Sequence, residues 1–422
     1  MTKNHNYKTA FIFLVSLFFM WAFLTALNDI LVPFVKELFD FGYTEAALVQ
    51  FCFFGAFFLM GYPASIVLDK YGYKTGIVIG LSLMGVGALL FYPASVVVYY
   101  PLFLGALFVL ATGVTVLQVA ANPYVAVLGT PETAASRLNL AQGVNSAAKV
   151  MAPLFGSALI LSGIEGLPKE QQAEAVQMPY VGLAIALFAL AGVFAFIQLP
   201  NIRDLDSVKE SNKISIVGKN SVFDFPHLLL GAGAIFMYVG AEVSIASFMI
   251  SFLGEDHIAG LDSESAGRYL SFYWGGLMIG RFVGAAVLQR MKSHTLLAIM
   301  AAAAILFLLT GITMSGWVAG WAIILVGFCN SIMWSNIFTL AIDGLGKFTS
   351  KGSGLLVMAI VGGAVVPFIH GFLADKIGLQ TSYSIAIVCY VYVLFYAVKG
   401  YKVGKDLKPT SRTTNDLLDE PI

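Results

Sequence analysis

KTAFIFLVSLFFMWAFLTALNDILVPFVK, Lys8 to Lys36, is the stretch whose reading decides the fold. Between its two lysines almost every residue is apolar. At ~1.5 Å rise per residue the run can cross a hydrocarbon layer of ~30 Å as a helix. Asn28 and Asp29 sit badly with a purely lipid environment, since an ionised aspartate in a membrane span costs ~2.5–3.5 kcal/mol even on the lenient insertion scale. Asp29 could lie near the helix end and reach headgroups or water. However, Ile30, Leu31, Val32, Phe34 and Val35 continue the apolar run past it, and Pro33 is tolerated in membrane helices. The favoured reading is a carboxylate facing a polar cavity, where it binds a cation, a proton or a substrate.

Composition extends that reading to the whole chain. Of 422 residues 59% are hydrophobic and 11% charged, with a mean hydropathy of +0.84, whereas soluble domains carry about 25% charged residues. The expectation is a polytopic protein whose surroundings are a lipid bilayer. The 24 Lys+Arg and 24 Asp+Glu cancel, so no global charge argues for nucleic acid as a partner. Cys52, Cys329 and Cys389 all lie in apolar segments and imply neither a disulfide framework nor a metal site. The first segment is too long for a signal-peptide core and is expected to be retained.

Apolar runs separated by short polar loops predict helices at about 9–35, 45–68, 76–94, 101–128, 138–162, 179–199, 226–253, 267–289, 295–315, 318–342, 352–373 and 379–399. The fourth is expected to bend at Pro123. Twelve spans place both termini on one side. The loops on the opposite side hold only Lys36, Lys169, Arg268 and Lys376, while the terminal side takes nearly all the other lysines and arginines. The positive-inside rule then makes the termini cytoplasmic. The longest polar interruption, 201–225, divides the spans six and six and is read as a cytoplasmic linker between an N-terminal bundle, 1–200, and a C-terminal bundle, 226–399. The polar tail, 400–422, is expected to be disordered.

SIVLDKYGYKTG, Ser65 to Gly76, follows the second run. Asp69, Lys70, Gly72 and Lys74 match the pattern G-x-x-x-D-[RK]-x-G-x-[RK], with Ser65 where the first glycine is expected. In this the chain resembles the major facilitator superfamily. Four further patterns, at Asn28–Pro33, Ala120–Val125, Arg137–Gln142 and Tyr238–Val243, together with Gly352–Asp375, are similar to the fucose:proton symporter family of that superfamily, in particular its glucose/galactose branch. The resemblance implies an all-α membrane protein, twelve transmembrane helices in two six-helix bundles, importing a sugar by alternating access at a midplane site. It also implies a bacterial-type inner membrane and a functional monomer. Asp29 matches the family's helix 1 carboxylate, but Gln118 replaces its helix 4 glutamate.

The residues themselves outline the same site. Gln118 and Asn122, four apart, share a helix face. Gln142, Asn145 and Lys149 form a polar stripe on the fifth helix, and amides both donate to and accept from sugar hydroxyls. The alternative is that these amides bond helix to helix. Lys149 must be paired or hydrated, with Asp29 and Glu242 the available carboxylates, or else it snorkels to an interface. Glu242, inside the seventh helix, is expected to accept from vicinal hydroxyls. Tyr273, Trp274, Asn330, Trp334, Asn336 and His370 complete the substrate candidates. Arg281 is expected to pair near the cytoplasmic end and serve structure.

No G-x-x-x-x-G-K-[ST], H-E-x-x-H or G-x-S-x-G occurs, so neither an ATP-driven pump nor an enzyme is expected. No cofactor is required beyond a bound coupling cation. For that cation, Asp29 with the side-chain oxygens of Asn28, Gln118, Asn122 or Asn145 resembles a sodium site, with Asp29 as the charged ligand, provided Lys149 points away. Sodium coupling is therefore favoured over proton coupling and over a uniporter in which Lys149 neutralises Asp29. A membrane enzyme or sugar sensor without flux is the reading from another class.

Overall fold

The computed structural model describes residues 7–39, 43–156, 168–174, 176–197 and 219–404. The first bundle contains α1 (Tyr7–Phe39), α2 (Tyr43–Tyr71), α3 (Tyr73–Val97), α4 (Tyr100–Val127), α5 (Ala134–Gly156) and α6 (Gln177–Phe196). The second contains α7 (Pro226–Gly254), α8 (Ser263–Val287), α9 (Ser293–Thr313), α10 (Gly316–Ile342), α11 (Gly346–Ile377) and α12 (Leu379–Val398). Among the described residues ten of these are long and apolar enough to cross a membrane. α1 and α5 complete the twelve, with part of each lying outside the described side chains. The side chains of Asn28 and Asp29, residues 201–218 of the linker and the tail beyond 404 lie outside the described residues.

Connections are short because helix ends are closed locally. α4 runs through Pro123 to Val127 and leaves its last carbonyls without intrahelical partners. Arg137, from the start of α5, donates to Val125 O at 3.3 Å and Ala126 O at 2.6 Å. The chain reverses at Gly129, whose φ of 138° an L side chain rarely adopts. At the start of α8, Asp262 accepts from Ser265 N at 2.9 Å. These two N–H and O–H donors of Ser265 hold the Asp262 carboxyl below the usual aspartate range. The linker's end forms a capped 3-10 turn, Val222–Asp224.

Two helices are broken in ways that their apolar runs do not announce. α10 is interrupted between Asn330 and Met333. α11 passes through a 3-10 turn, Ala359–Val361. Both breaks lie beside close contacts with other helices. Ser331 presses on Gly280 of α8, and Gly362 sits so close to the Phe236 carbonyl of α7 that a Cβ could not fit between them. The outward faces of the bundles are apolar: Phe196, Met178, Phe368 and Leu306 are among the most exposed residues of the structure. That surface suits lipid rather than water.

The bundles meet at the end that carries the α2–α3, α4–α5, α8–α9 and α10–α11 connections and the end of α12. Lys70, Lys74, Arg137, Arg290, Lys292, Lys347, Lys351 and Lys399 make it the basic end. Here α2 packs on α11, and the Asp69 carboxylate accepts from Ser350 and lies 3.8 Å from Lys351 Nζ. A Cβ on Gly354 would come within 2.6 Å of Gly61 O, so this seam is closed backbone to backbone. In the second seam α5 packs on α8, where Ser136 Oγ donates to Ala285 O at 2.6 Å.

Candidate functional site

Above these seams the second bundle presents one carboxylate. Tyr238 and Glu242 stand one turn apart on α7, and the phenol donates to Glu242 Oε2. Glu242 keeps 8% exposure while Tyr238 keeps 2%. The turn is held from behind by a chain of bonds through three more helices. Tyr273 of α8 donates to Glu242 O at 3.1 Å, Asn330 of α10 donates to Tyr273 Oη at 2.9 Å, and Tyr390 of α12 donates to Asn330 Oδ1 at 2.7 Å. Each tyrosine buries its ring and passes on its hydroxyl, which satisfies the buried amide without water.

The first bundle contributes the polar stripe of α5, which meets the second bundle at Arg281 and Trp274 of α8. Gln142, Asn145 and Ser146 are buried and Lys149 is half-buried. Asn145 Nδ2 donates to Phe18 O of α1 at 3.1 Å, so at least one of its donors serves helix packing. Lys149 Nζ lies 5.8 Å from the centroid of the Trp274 ring of α8, joining the two bundles through a cation–π contact. On α4, Gln118 is half-buried, while Asn122 is fully buried with neither amide atom partnered.

The remaining candidates lie away from this face. His370 is completely buried, bonded through Nδ1 to Ser244 Oγ at 2.6 Å and packed between the rings of Phe248 and Tyr383 at 4.4 and 4.8 Å. Asn336 donates to Ser293 O at 3.2 Å, which ties α10 to the start of α9 at the basic end. Trp334, 6% exposed, stacks on Phe338 at 6.0 Å and leaves its indole N–H unpartnered. Tyr273 and Asn330 are enclosed and present no surface to a solute in this conformation. Asp29 and Asn28 lie outside the described side chains.

Tyr238 and Tyr390 hold the Glu242 turn without being among the substrate candidates that the sequence offers. The four-residue spacing from Tyr238 to Glu242 was a usable signal, whereas Tyr390 lies 60 residues from Asn330 and gave none. Arg281 does pair, but its partners are oxygens of the opposite bundle rather than a carboxylate: Gln142 O at 2.9 Å and Ser146 Oγ at 2.5 Å.

Two bundles, closed at one end and facing each other with buried polar groups, suit a solute carried between them. The Major Facilitator Superfamily model matches residues 9–359. The chain belongs to the major facilitator superfamily. Within this superfamily of transporters it is 47% identical over 401 residues to a glucose/galactose transporter of Brucella abortus biovar 1 (strain 9-941), covering 95% of this chain and 96% of that one. It is 34% identical over 416 residues to the L-fucose-proton symporter of Escherichia coli (strain K12), covering 94% of each. A crystal structure of the transporter FucP in the outward conformation superposes with a TM-score of 0.83 at 32% identity, covering 93% of this chain and 98% of that one.

Proposed function

We propose that this protein imports a hexose of the glucose/galactose type across a bacterial inner membrane by alternating access. The observation that carries the reading is the Tyr238–Glu242 pair. It is one carboxylate with a held geometry, offered between bundles that are sealed at the basic end, in a chain nearly half identical to a glucose/galactose transporter. A carboxylate with one oxygen fixed by a phenol leaves the other to accept from a sugar hydroxyl. Gln142 and Lys149 face it from α5, and Trp274 offers an apolar ring to the sugar's CH face. The bundles 1–200 and 226–399 rock about this site as a monomer. The basic end and the termini are cytoplasmic by the positive-inside rule, which makes the present conformation outward-facing.

For the coupling ion we take the proton. Sodium, favoured by the oxygen count around Asp29, finds no support among relatives: both L-fucose symporters, at 34% and 26% identity, are named for the proton. Gln118 cannot titrate, so Asp29 is assigned as the proton carrier. Uptake of labelled glucose and galactose into proteoliposomes tests both parts. Uptake should be indifferent to replacing sodium by choline and collapse with a protonophore. Loss of uptake in choline would restore the sodium reading. Indifference to both, with a new cation dependence in Lys149→Ala, would make the protein a uniporter. Absence of counterflow for any hexose would end the transporter-of-hexose reading.

A further inference from the structure

The α5–α8 seam contains a cation that the proposed site does not use. Arg281 is 4% exposed. Its Nη1 donates to Gln142 O and Ser146 Oγ, both on α5, and Nε has no partner. α5 answers in kind: Asn139 Nδ2 donates to Arg281 O at 2.7 Å, and Asn139 Oδ1 accepts from Ser335 Oγ of α10 at 3.2 Å. The guanidinium is thus bonded to neutral oxygens of the other bundle. On its own bundle, the Tyr238 hydroxyl that holds Glu242 lies within electrostatic reach of it.

Opening the basic end separates α5 from α8 and takes both acceptors away. A guanidinium stripped of acceptors in a low-dielectric interior is strongly penalised, so the seam cannot part unless another acceptor is supplied. Glu242 offers one free carboxylate oxygen, because Tyr238 occupies the other. A hexose bound at Glu242 adds hydroxyl oxygens beside it.

We propose that Arg281 is a positioning residue of the transport cycle, latching the bundles through Gln142 and Ser146 while the basic end is closed and swinging onto the sugar-loaded Glu242 when it opens. This rests on the hexose reading for its second half. Empty protein then resists opening, because Glu242 alone supplies too few acceptors, and loaded protein opens. The device suppresses passage of the empty carrier with a cation present.

The test uses Ser136, 6% exposed, whose hydroxyl crosses the same seam to Ala285 O. S136C is introduced in full-length protein with Cys52, Cys329 and Cys389 replaced by alanine, and its alkylation by N-ethylmaleimide is timed with and without galactose or glucose. With Arg281 present, alkylation should be slow and rise about fivefold with sugar, whereas R281M should be about tenfold faster without sugar and indifferent to it, as loss of a charge-assisted bond requires. E242Q should keep the slow sugar-free rate and lose the acceleration. R281K, which keeps the charge without the forked donors, should fall between and replaces R281M if that variant is not monodisperse. If sugars leave the parent rate unchanged while R281M still raises it, the hexose reading fails and the latch stands. If R281M and R281K both keep the parent rate and its sugar response, the latch is overturned.

Discussion

Glu242→Gln isolates the charge of the proposed sugar ligand at constant volume. In the parent, one carboxylate oxygen accepts from Tyr238 and the other is free. Bonds to an ionised group contribute ~1.5–3 kcal/mol against ~0.5–1.5 kcal/mol between neutral groups. The amide can keep Tyr238 satisfied with its carbonyl oxygen, which turns its NH2 toward the sugar and presents a donor where the hydroxyl had an acceptor. The net loss is one charge-assisted bond replaced at best by a neutral one, about 1–2 kcal/mol, or roughly five- to thirtyfold in Kd. The backbone bond from Tyr273 to Glu242 O is untouched by the change, so the fold should hold. The assay is equilibrium binding of galactose and glucose to purified protein, with a melting curve on the same sample. Tyr238→Phe serves as the companion, since it frees the carboxylate without neutralising it and should weaken binding less. Unchanged affinity in a folded Glu242→Gln would refute the assignment and leave the pair as a structural bond within α7.

Tyr390→Phe leaves Asn330 Oδ1 without its donor in a dry interior, which should cost ~1–3 kcal/mol; a lower melting temperature and weaker sugar binding should follow. Tyr392→Phe, which removes only a 3.3 Å bond to Leu230 O at a half-buried site, should do less. Gly354→Ala places a methyl against Gly61 O, and overpacking of ~1–3 kcal/mol should shift the population away from basic-end closure, read as faster alkylation of S136C. Asp262→Ala removes the α8 cap. Because the folded carboxyl titrates below the unfolded one, its stabilisation is present above the unfolded value and lost as pH falls. The melting-temperature gap to the parent should therefore be full at neutral pH and close below pH about 4.

What the sequence could disclose depends on how far a residue's partners lie along the chain. Twelve apolar runs are local facts, and most of the described helix ends lie within a few residues of the ends of those runs. The breaks in α10 and α11 lie beside non-local contacts, with Gly280 of α8 and the Phe236 carbonyl of α7, and no window over residues 316–377 contains those neighbours. The same limit governs the site. Glu242 can be proposed from the sequence because a carboxylate inside an apolar run is anomalous wherever it points. Tyr273, Asn330 and His370 have the same composition as sugar ligands, yet the structure packs them inside the second bundle, a distinction that rests on partners in α7, α11 and α12.

The seams between the bundles show why the molecule can work as a carrier. An interface that must open in every cycle has to hold each closed state by only a few kcal/mol, or the other state would never be populated. A buried ion pair would violate that condition, since stripping one charge of its partner costs ~3–5 kcal/mol. At the α5–α8 seam the buried cation meets a backbone carbonyl and a serine hydroxyl, the half-buried Lys149 meets the Trp274 ring, and the hydrogen bonds given by Ser136, Asn139 and Ser335 join neutral groups. The ion pair between Lys351 and Asp69 at the α2–α11 seam is 3.8 Å long with both side chains about a third exposed, the regime in which pairs contribute ~0–1 kcal/mol. Polar bonds thus fix the register of the closed end, the Arg281 latch adds a hold that a loaded Glu242 can release, and close packing at Gly61 and Gly354 supplies the rest, which water or lipid does not have to replace charge for charge when the bundles part.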